Sequence, residues 1–421
     1  MAEVANTMNT IEISIDELAR YIGECMEDGD YDPVMVLGPA GVGKTVSLRN
    51  MARRLGIGYL DMRLIDKTEL DLIGLPDTEV IKASSLRDDA DDGEEIKATT
   101  YHANILLPYA KRDGDVGIFV IDEITSASRN VRAAALQLLD SSRSIGTYHL
   151  PEKWKIIAIG NGEEDGGIFD GMEGVVINRC ATFRLRPEFE SWKKWAISDG
   201  HINPTVVAYL SLAQDNLHCY DPNSPDAVFP SPRSWEKLST KLNMREAKAG
   251  GQGKLSPESV HMYAAPFVGK KVAAEFQAFY NYNKYLIEPK DILEGKVKGA
   301  DLQKLEKQAI YIILESVVKM LKEKFENDPN KKARVDAFDN DFAYTEPTLS
   351  AVTNVINWAV EVGENVSNEY ASLIITDLTQ NIPGIEDLLL LGIGLGAGGA
   401  DEAAKRFASF DKWSSEHGKF S

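Results

Sequence analysis

Eight consecutive residues, Gly38-Pro39-Ala40-Gly41-Val42-Gly43-Lys44-Thr45, fit the pattern G-x-x-x-x-G-K-[ST] in full. Glycines let the backbone curl so that successive N–H groups face a phosphate. The helix that follows adds its partial positive charge. In such a loop Lys44 reaches the β- and γ-phosphates of ATP and the Thr45 hydroxyl coordinates Mg²⁺. The octet follows the apolar run Val34–Leu37 and precedes a helical pattern, which is the context the motif requires. From average residue frequencies, a chance match in a chain this long has a probability on the order of 1%.

A second group lies further along. Ile118-Phe119-Val120-Ile121 runs into Asp122-Glu123, so a buried strand delivers two carboxylates at its C-terminal end, where open α/β sheets bind ligands. Asp122 is suited to the Mg²⁺ shell, and Glu123 to orienting and deprotonating an attacking water. Asn161 closes the apolar run Lys155–Ile159 after Gly160. A polar side chain there can hold the water in line with the γ-phosphate, although Gly-Asn-Gly is also a good turn sequence.

These side chains need a scaffold that brings strand ends together. Short apolar runs alternate with helical patterns in the first half of the chain, the mark of a parallel sheet in an α/β domain. Five strands are expected: Val34–Leu37, Gly58–Arg63, Val116–Ile121, Lys155–Ile159 and Ala181–Leu185. A helix is expected from Gly43, and another over Asn130–Ser141, where Val131, Ala134, Ala135, Leu138 and Leu139 share a face. Ser144–Leu150 reads as a tight hairpin around Gly146. The stretch Asp77–Ala110 exceeds a minimal βαβ connection and carries Asp88, Asp89, Asp91, Asp92, Glu94 and Glu95, a charge run of the kind that usually forms a solvated loop.

After Pro187 the pattern turns helical. Short helices are expected over Glu188–Ile197, Pro204–Gln214 and Arg233–Asn243, with a flexible break at Gly250–Gly253. Leu302, Leu305, Ala309, Ile312 and Ile313 predict one long helix ending before Pro329. The fold class expected is therefore α/β: a three-layer P-loop core around a parallel five-stranded sheet, then a helical lid and a helical C-terminal extension. The expected boundaries are 1–187 (with an insert at about 77–110), 188–290 and 291–421.

Bulk properties bound the rest. The 421 residues are 43% apolar and 26% charged, an ordinary globular composition. The net charge of −19 weighs against tight nonspecific nucleic-acid binding, which needs a dense basic surface. Cys25, Cys180 and Cys219 have no metal-ligand spacing and read as reduced thiols of a cytoplasmic protein. Met1–Ile13 has no apolar segment of signal-peptide type. Leu388–Ala400, the longest apolar run, is about half the ~20 residues a membrane span needs.

The order strand, Asp122-Glu123, helix, hairpin, strand, Asn161 resembles the AAA+ ATPases, and the hairpin resembles the pre-sensor hairpin of their helix-2-insert group. Several short motifs resemble the MoxR-like branch: Asp71-Leu72-Ile73-Gly74-Leu75-Pro76, Asp122-Glu123-Ile124, Arg143-Ser144-Ile145-Gly146, Leu150-Pro151, Asn178-Arg179-Cys180 and Ser231-Pro232-Arg233-Ser234-Trp235-Glu236. The likeness covers about residues 30–245. Cys180 replaces the usual aromatic after the arginine, and Thr125-Ser126 stands where Asn-Arg is common. The resemblance implies that Arg179 is an arginine finger acting on the neighbouring subunit's γ-phosphate, and that Arg233 is a lid arginine contacting nucleotide in cis. It also implies a homo-oligomeric ring, expected as a hexamer, that hydrolyses Mg-ATP to remodel or assemble a protein client. Such ATPases often work beside a partner with a von Willebrand factor A-type domain. Two other classes remain open: a nucleic-acid motor, helicase or restriction-type translocase, and a nucleotide-gated scaffold with little turnover. Lys82, Arg87, Lys97 and Arg143 are sparse for the former; intact Glu123 and Arg179 speak against the latter.

Overall fold

The computed structural model describes residues 10–85, 93–102, 104–162, 179–220, 228–285, 287–329, 345–382, 384–386, 389 and 407–417. The chain forms two compact units, Met1–Glu188 and Phe189–Ser421.

The first unit is built on a parallel sheet of six strands: β1 (Ile11–Ile13), β2 (Val34–Leu37), β3 (Gly58–Arg63), β6 (Val116–Asp122), β9 (Lys153–Gly160) and β10 (Ala181–Leu185). Their order across the sheet is β1-β10-β2-β9-β6-β3. Five strands were expected; β1 is the sixth, pairing with β10 at the edge through Ile11↔Phe183 and Ile13↔Leu185. The central strands are apolar on both sides, as a sheet covered on both faces requires. Alternate residues feed two cores. Met35, Phe119, Ile121, Ile156 and Ala158 pack on one face with helix α5 (Arg129–Leu138). Val34, Val36, Ile118, Val120, Ile157 and Ile159 pack on the other with α1 (Ile15–Glu27) and α2 (Lys44–Leu55). Helix α1 begins at a reciprocal cap: Glu17 N–H donates to Ser14 Oγ at 3.2 Å, and Ser14 N–H donates to Glu17 Oε2 at 2.6 Å.

The insert after β3 holds a short helix, α3 (Glu69–Ile73), and an antiparallel hairpin of β4 (Pro76–Lys82) and β5 (Glu95–Tyr101). Of the acidic run, Asp88, Asp89, Asp91 and Asp92 lie outside the described residues, and Glu95 opens β5. A further short helix, α4 (Ala110–Asp113), leads into β6.

The second unit is helical and shares one core from Phe189 to Trp413, so the regions expected on either side of residue 290 pack as one body. The helix Lys307–Glu326 runs through it with Ala309 to Val318 all buried, the mark of a helix surrounded by others. It starts later than the periodicity suggests: Leu302 lies in the 3-10 turn Gly299–Lys304, and Leu305 follows that turn. Three helices open with Pro at the first turn behind a capping side chain: Asn203 before Pro204–Leu212, Ser231 before Pro232–Ala249 and Ser256 before Pro257–Val268. No helix among the described residues is long and apolar enough to cross a membrane.

One buried cluster ties the helices Phe189–Ser198, Lys307–Glu326 and Asn368–Asn381 together. Lys193 Nζ lies 2.7 Å from Asp377 Oδ2 and 3.0 Å from Glu315 Oε1, and all three residues are buried. One cation thus faces two carboxylates. Burial, then the Glu315 charge, push the Asp377 carboxyl up to about 7 against the pull of Lys193, with Glu190 adding to the push. A folded-state value above the ordinary 3.8 means stability that is full at low pH and is lost as pH rises through about 7. The urea midpoint of this unit should therefore fall between pH 5.5 and pH 8. A loss of about 1–2 kcal/mol is the expected scale. The Asp377→Asn variant should lack that part of the slope; an unchanged slope would remove Asp377 as its source.

Candidate functional site

The site is assembled at the C-terminal ends of β2, β6 and β9. Register fixes the heights: Leu37 pairs with Gly160, and Ile121 with Ala158. The P-loop leaves β2 at Gly38 and enters α2 at Lys44. Gly43 caps that helix at φ 92°, a left-handed conformation in which a side chain would be strained. A Cβ at Gly43 would meet nothing closer than 3.8 Å, so the requirement for glycine is conformational rather than one of space.

Within this loop Lys44 is buried, and its ammonium donates to acceptors both on the loop and just past the end of β9. It donates to Gly38 O at 2.7 Å, Pro39 O at 2.9 Å and Asn161 Oδ1 at 3.2 Å. The last contact joins residues 117 apart in sequence and brings the strand-end amide to the phosphate loop. Thr45 Oγ1 donates to Asp122 Oδ2 at 2.9 Å, while Asp122 Oδ1 accepts the Glu123 N–H at 2.9 Å. Two hard oxygens, one from the helix start and one from the β6 end, thus face each other. That is the donor chemistry Mg²⁺ takes when it keeps most of its shell for water and phosphate. The residues fit a magnesium nucleotide: Thr45 and Asp122 would hold the metal, and the loop amides and Lys44 the phosphates. When bound, the metal would neutralise charge on the phosphate oxygens.

Glu123 follows at φ 59°, one of three non-glycine residues with positive φ among the described residues. Such a conformation is uncommon for a side-chain-bearing residue and clusters at functional sites. The carboxylate is half-buried and held from two sides: Arg63 Nη2 stands 3.5 Å from Oε1, and Ser126 Oγ donates to Oε2 at 3.3 Å. Arg63 is the last residue of β3 and pairs in register with Asp122, which is why it reaches Glu123. Tyr59 donates its hydroxyl to Thr45 O at 3.3 Å, and burial raises its pKa. Thr125 is wholly buried and accepts the Asn161 N–H at 3.0 Å. Arg63, Ser126, Tyr59 and Thr125 were not among the expected site residues, because each acts through a partner distant in sequence or on a neighbouring turn.

The hairpin between α5 and β9 consists of β7 (Ser144–Ile145) and β8 (Tyr148–His149). Arg143 ties it down, donating to Glu152 O at 2.8 Å and to Trp154 O, at the start of β9. Arg179 is remote from the cradle in its own unit. Ala181, two residues later, pairs with Val34 at the beginning of β2, whereas Gly38 follows the end of that strand. The three steps from Val34 to Leu37 alone span about 10 Å. The Arg179 guanidinium instead approaches Asp140 Oδ2 at 3.7 Å, beyond the end of α5. Asn178 lies outside the described residues. Cys180 packs against the α5 side of the sheet, and burial pushes its thiol up to about 12, so it stays protonated. Arg233 belongs to the second unit, exposed on the first turn of Pro232–Ala249, where Ser231 and Ser234 cap the helix reciprocally.

No protein-family model matches the chain, and no curated protein matches it in sequence. Solved structures of two RuvB variants from Thermotoga maritima are 12% and 11% identical to it. Each covers 73% of this chain, and they are themselves covered to 91% and 86%, with TM-scores of 0.30 and 0.29.

Proposed function

We propose that this chain is an AAA+ ATPase of MoxR-like kind, working as a homo-oligomeric ring that couples Mg-ATP hydrolysis to the remodelling or assembly of a protein client. One observation carries the ATPase reading: Lys44 meets Asn161 and Thr45 meets Asp122, with Glu123 beside them, so phosphate loop, metal ligands and base converge at three strand ends. In this reading Lys44 and the loop amides bind the phosphates. Asn161 orients the attacking water, and Glu123 takes its proton at a carboxylate oxygen. Arg179 completes the neighbouring subunit's site, and Arg233 contacts nucleotide from the lid.

The client reading rests on the MoxR-like motifs and on the surface of the insert. Leu70, Leu75, Val80, Ile105 and Leu106 are exposed there, with Ile105 at 75%. Lys82 and Lys97 are set among Asp77, Glu79, Glu94 and Glu95. Such a surface suits protein contact better than the dense basic strip a nucleic-acid motor needs. A partner with a von Willebrand factor A-type domain is part of the proposal.

The test is a capture experiment. Tagged Glu123→Gln protein with ATP should retain a defined protein set that Lys44→Ala protein loses, because Lys44→Ala should abolish nucleotide binding. Filter binding with single- and double-stranded DNA runs beside it. Nucleotide-dependent retention of DNA without any protein would overturn the client reading in favour of a nucleic-acid motor.

A further inference from the structure

The junction between the β6 and β9 strand ends carries an inference that rests on the ATPase reading and adds a residue to it. Thr125 sits in the 3-10 turn Ile124–Ser126, directly after Asp122-Glu123, and its side chain is wholly buried. From there it reaches across to β9, where its Oγ1 accepts the Asn161 N–H at 3.0 Å. The strand leaves room for it because residue 160 is glycine. A Cβ at Gly160 would lie 2.4 Å from Thr125 Cγ2 and 2.9 Å from Oγ1. The contact is therefore a fitted one: the methyl fills the space beside Gly160 and the hydroxyl holds the next amide. Asn161 Oδ1 in turn accepts from Lys44 Nζ.

We propose that Thr125 is a positioning residue, which locks the Asn161 backbone to the Asp122-Glu123 turn so that the water-orienting amide and the base move as one piece. Glu123 and Asn161 follow the ends of different strands, β6 and β9, and stand 38 residues apart in sequence. Sheet hydrogen bonds hold β6 to β9 as far as Ile121↔Ala158, below the catalytic side chains. Above that point Thr125 Oγ1 supplies the crossing bond. Its hydroxyl touches neither phosphate loop nor base, so its effect on hydrolysis must pass through Asn161.

Thr125→Val keeps the methyl and the volume but removes the acceptor. It should lower kcat roughly ten- to a hundredfold, the scale of a small misplacement of a catalytic group. Affinity for a fluorescent ATP analogue should stay within about twofold, since Lys44 and the loop are untouched. Thr125→Ser retains the acceptor and should recover most of the rate. The decisive arm is a double-mutant cycle. In an Asn161→Ala background, which keeps the backbone amide but lacks the orienting side chain, Thr125→Val should cost little more.

A full additional loss there would show that Thr125 acts independently of Asn161 and overturn the proposal. So would an unchanged kcat in Thr125→Val, a parallel loss of nucleotide affinity, or a Ser variant no better than Val. If Thr125→Val does not fold, Gly160→Ala presses on the same contact and should lower kcat with affinity retained; normal turnover in that variant would equally overturn it. Failure of the underlying reading looks different: the wild type would show no ATP hydrolysis, or Asn161→Ala would turn over at full rate.

Discussion

The Glu123→Gln variant will bind ATP as tightly as the wild type and hydrolyse it roughly 10²–10⁴-fold more slowly, the usual cost of losing a general base. Glutamine has nearly the same shape: its amide oxygen can still accept from Arg63, and its NH2 can donate to Ser126 Oγ, reversing the bond the carboxylate accepts there. What it cannot do is take a proton from water. The phosphate loop, Lys44 and the Thr45–Asp122 pair lie outside the substitution, so binding has no reason to change. Equilibrium binding of a fluorescent nucleotide and single-turnover hydrolysis separate the two quantities. Near-normal turnover would remove Glu123 from the mechanism, and a parallel loss of binding would assign it to the cradle instead.

How far such a site can be read from sequence depends on where its contacts lie. The strands β2, β3 and β10 are legible residue for residue because each is a short β-forming run bounded by turns or by the phosphate loop. Strand β1 is not: three residues with Ile11 exposed give no alternation long enough to count. Its neighbour α1 does carry a readable signal, Ser14 followed three residues later by Glu17, which is a capping box. The insert hairpin is masked by the charge run that precedes β5, although Glu95–Tyr101 alternates in the manner of a strand. Leu302 and Leu305 extend the helical period falsely, because a 3-10 turn also brings back a side chain every third residue. The chemistry-bearing residues of the loop and of β6 follow from local pattern. Thr125, Arg63 and the Lys193–Glu315–Asp377 cluster do not, since their meaning lies in partners 36, 60 and up to 184 residues away.

Arg179→Ala should leave ATP affinity in each protomer largely intact while hydrolysis falls steeply. In its own unit Arg179 lies just before the N-terminal end of β10, at the end of the strands opposite the phosphate loop, and turns to Asp140, away from the nucleotide beside Lys44. A finger of this type is worth about 10³–10⁵ in rate in related P-loop enzymes, so even a partial contribution is measurable. Supplying it in trans requires a head-to-tail contact, which closes into a ring when its rotation permits. Activity per subunit should then rise with protein concentration. Mixing Arg179→Ala subunits with Lys44→Ala subunits makes the stronger test. Some interfaces would pair an intact cradle with an intact arginine, and activity absent from either variant alone should return. The mixture must be assembled from separated protomers, with exchange verified by a label on one of them. If exchange occurs, no activity returns and the wild type is equally active as a dilute monomer, then Arg179 serves no neighbour. The Asp140 contact would then be its whole role, and hydrolysis would be complete within one chain.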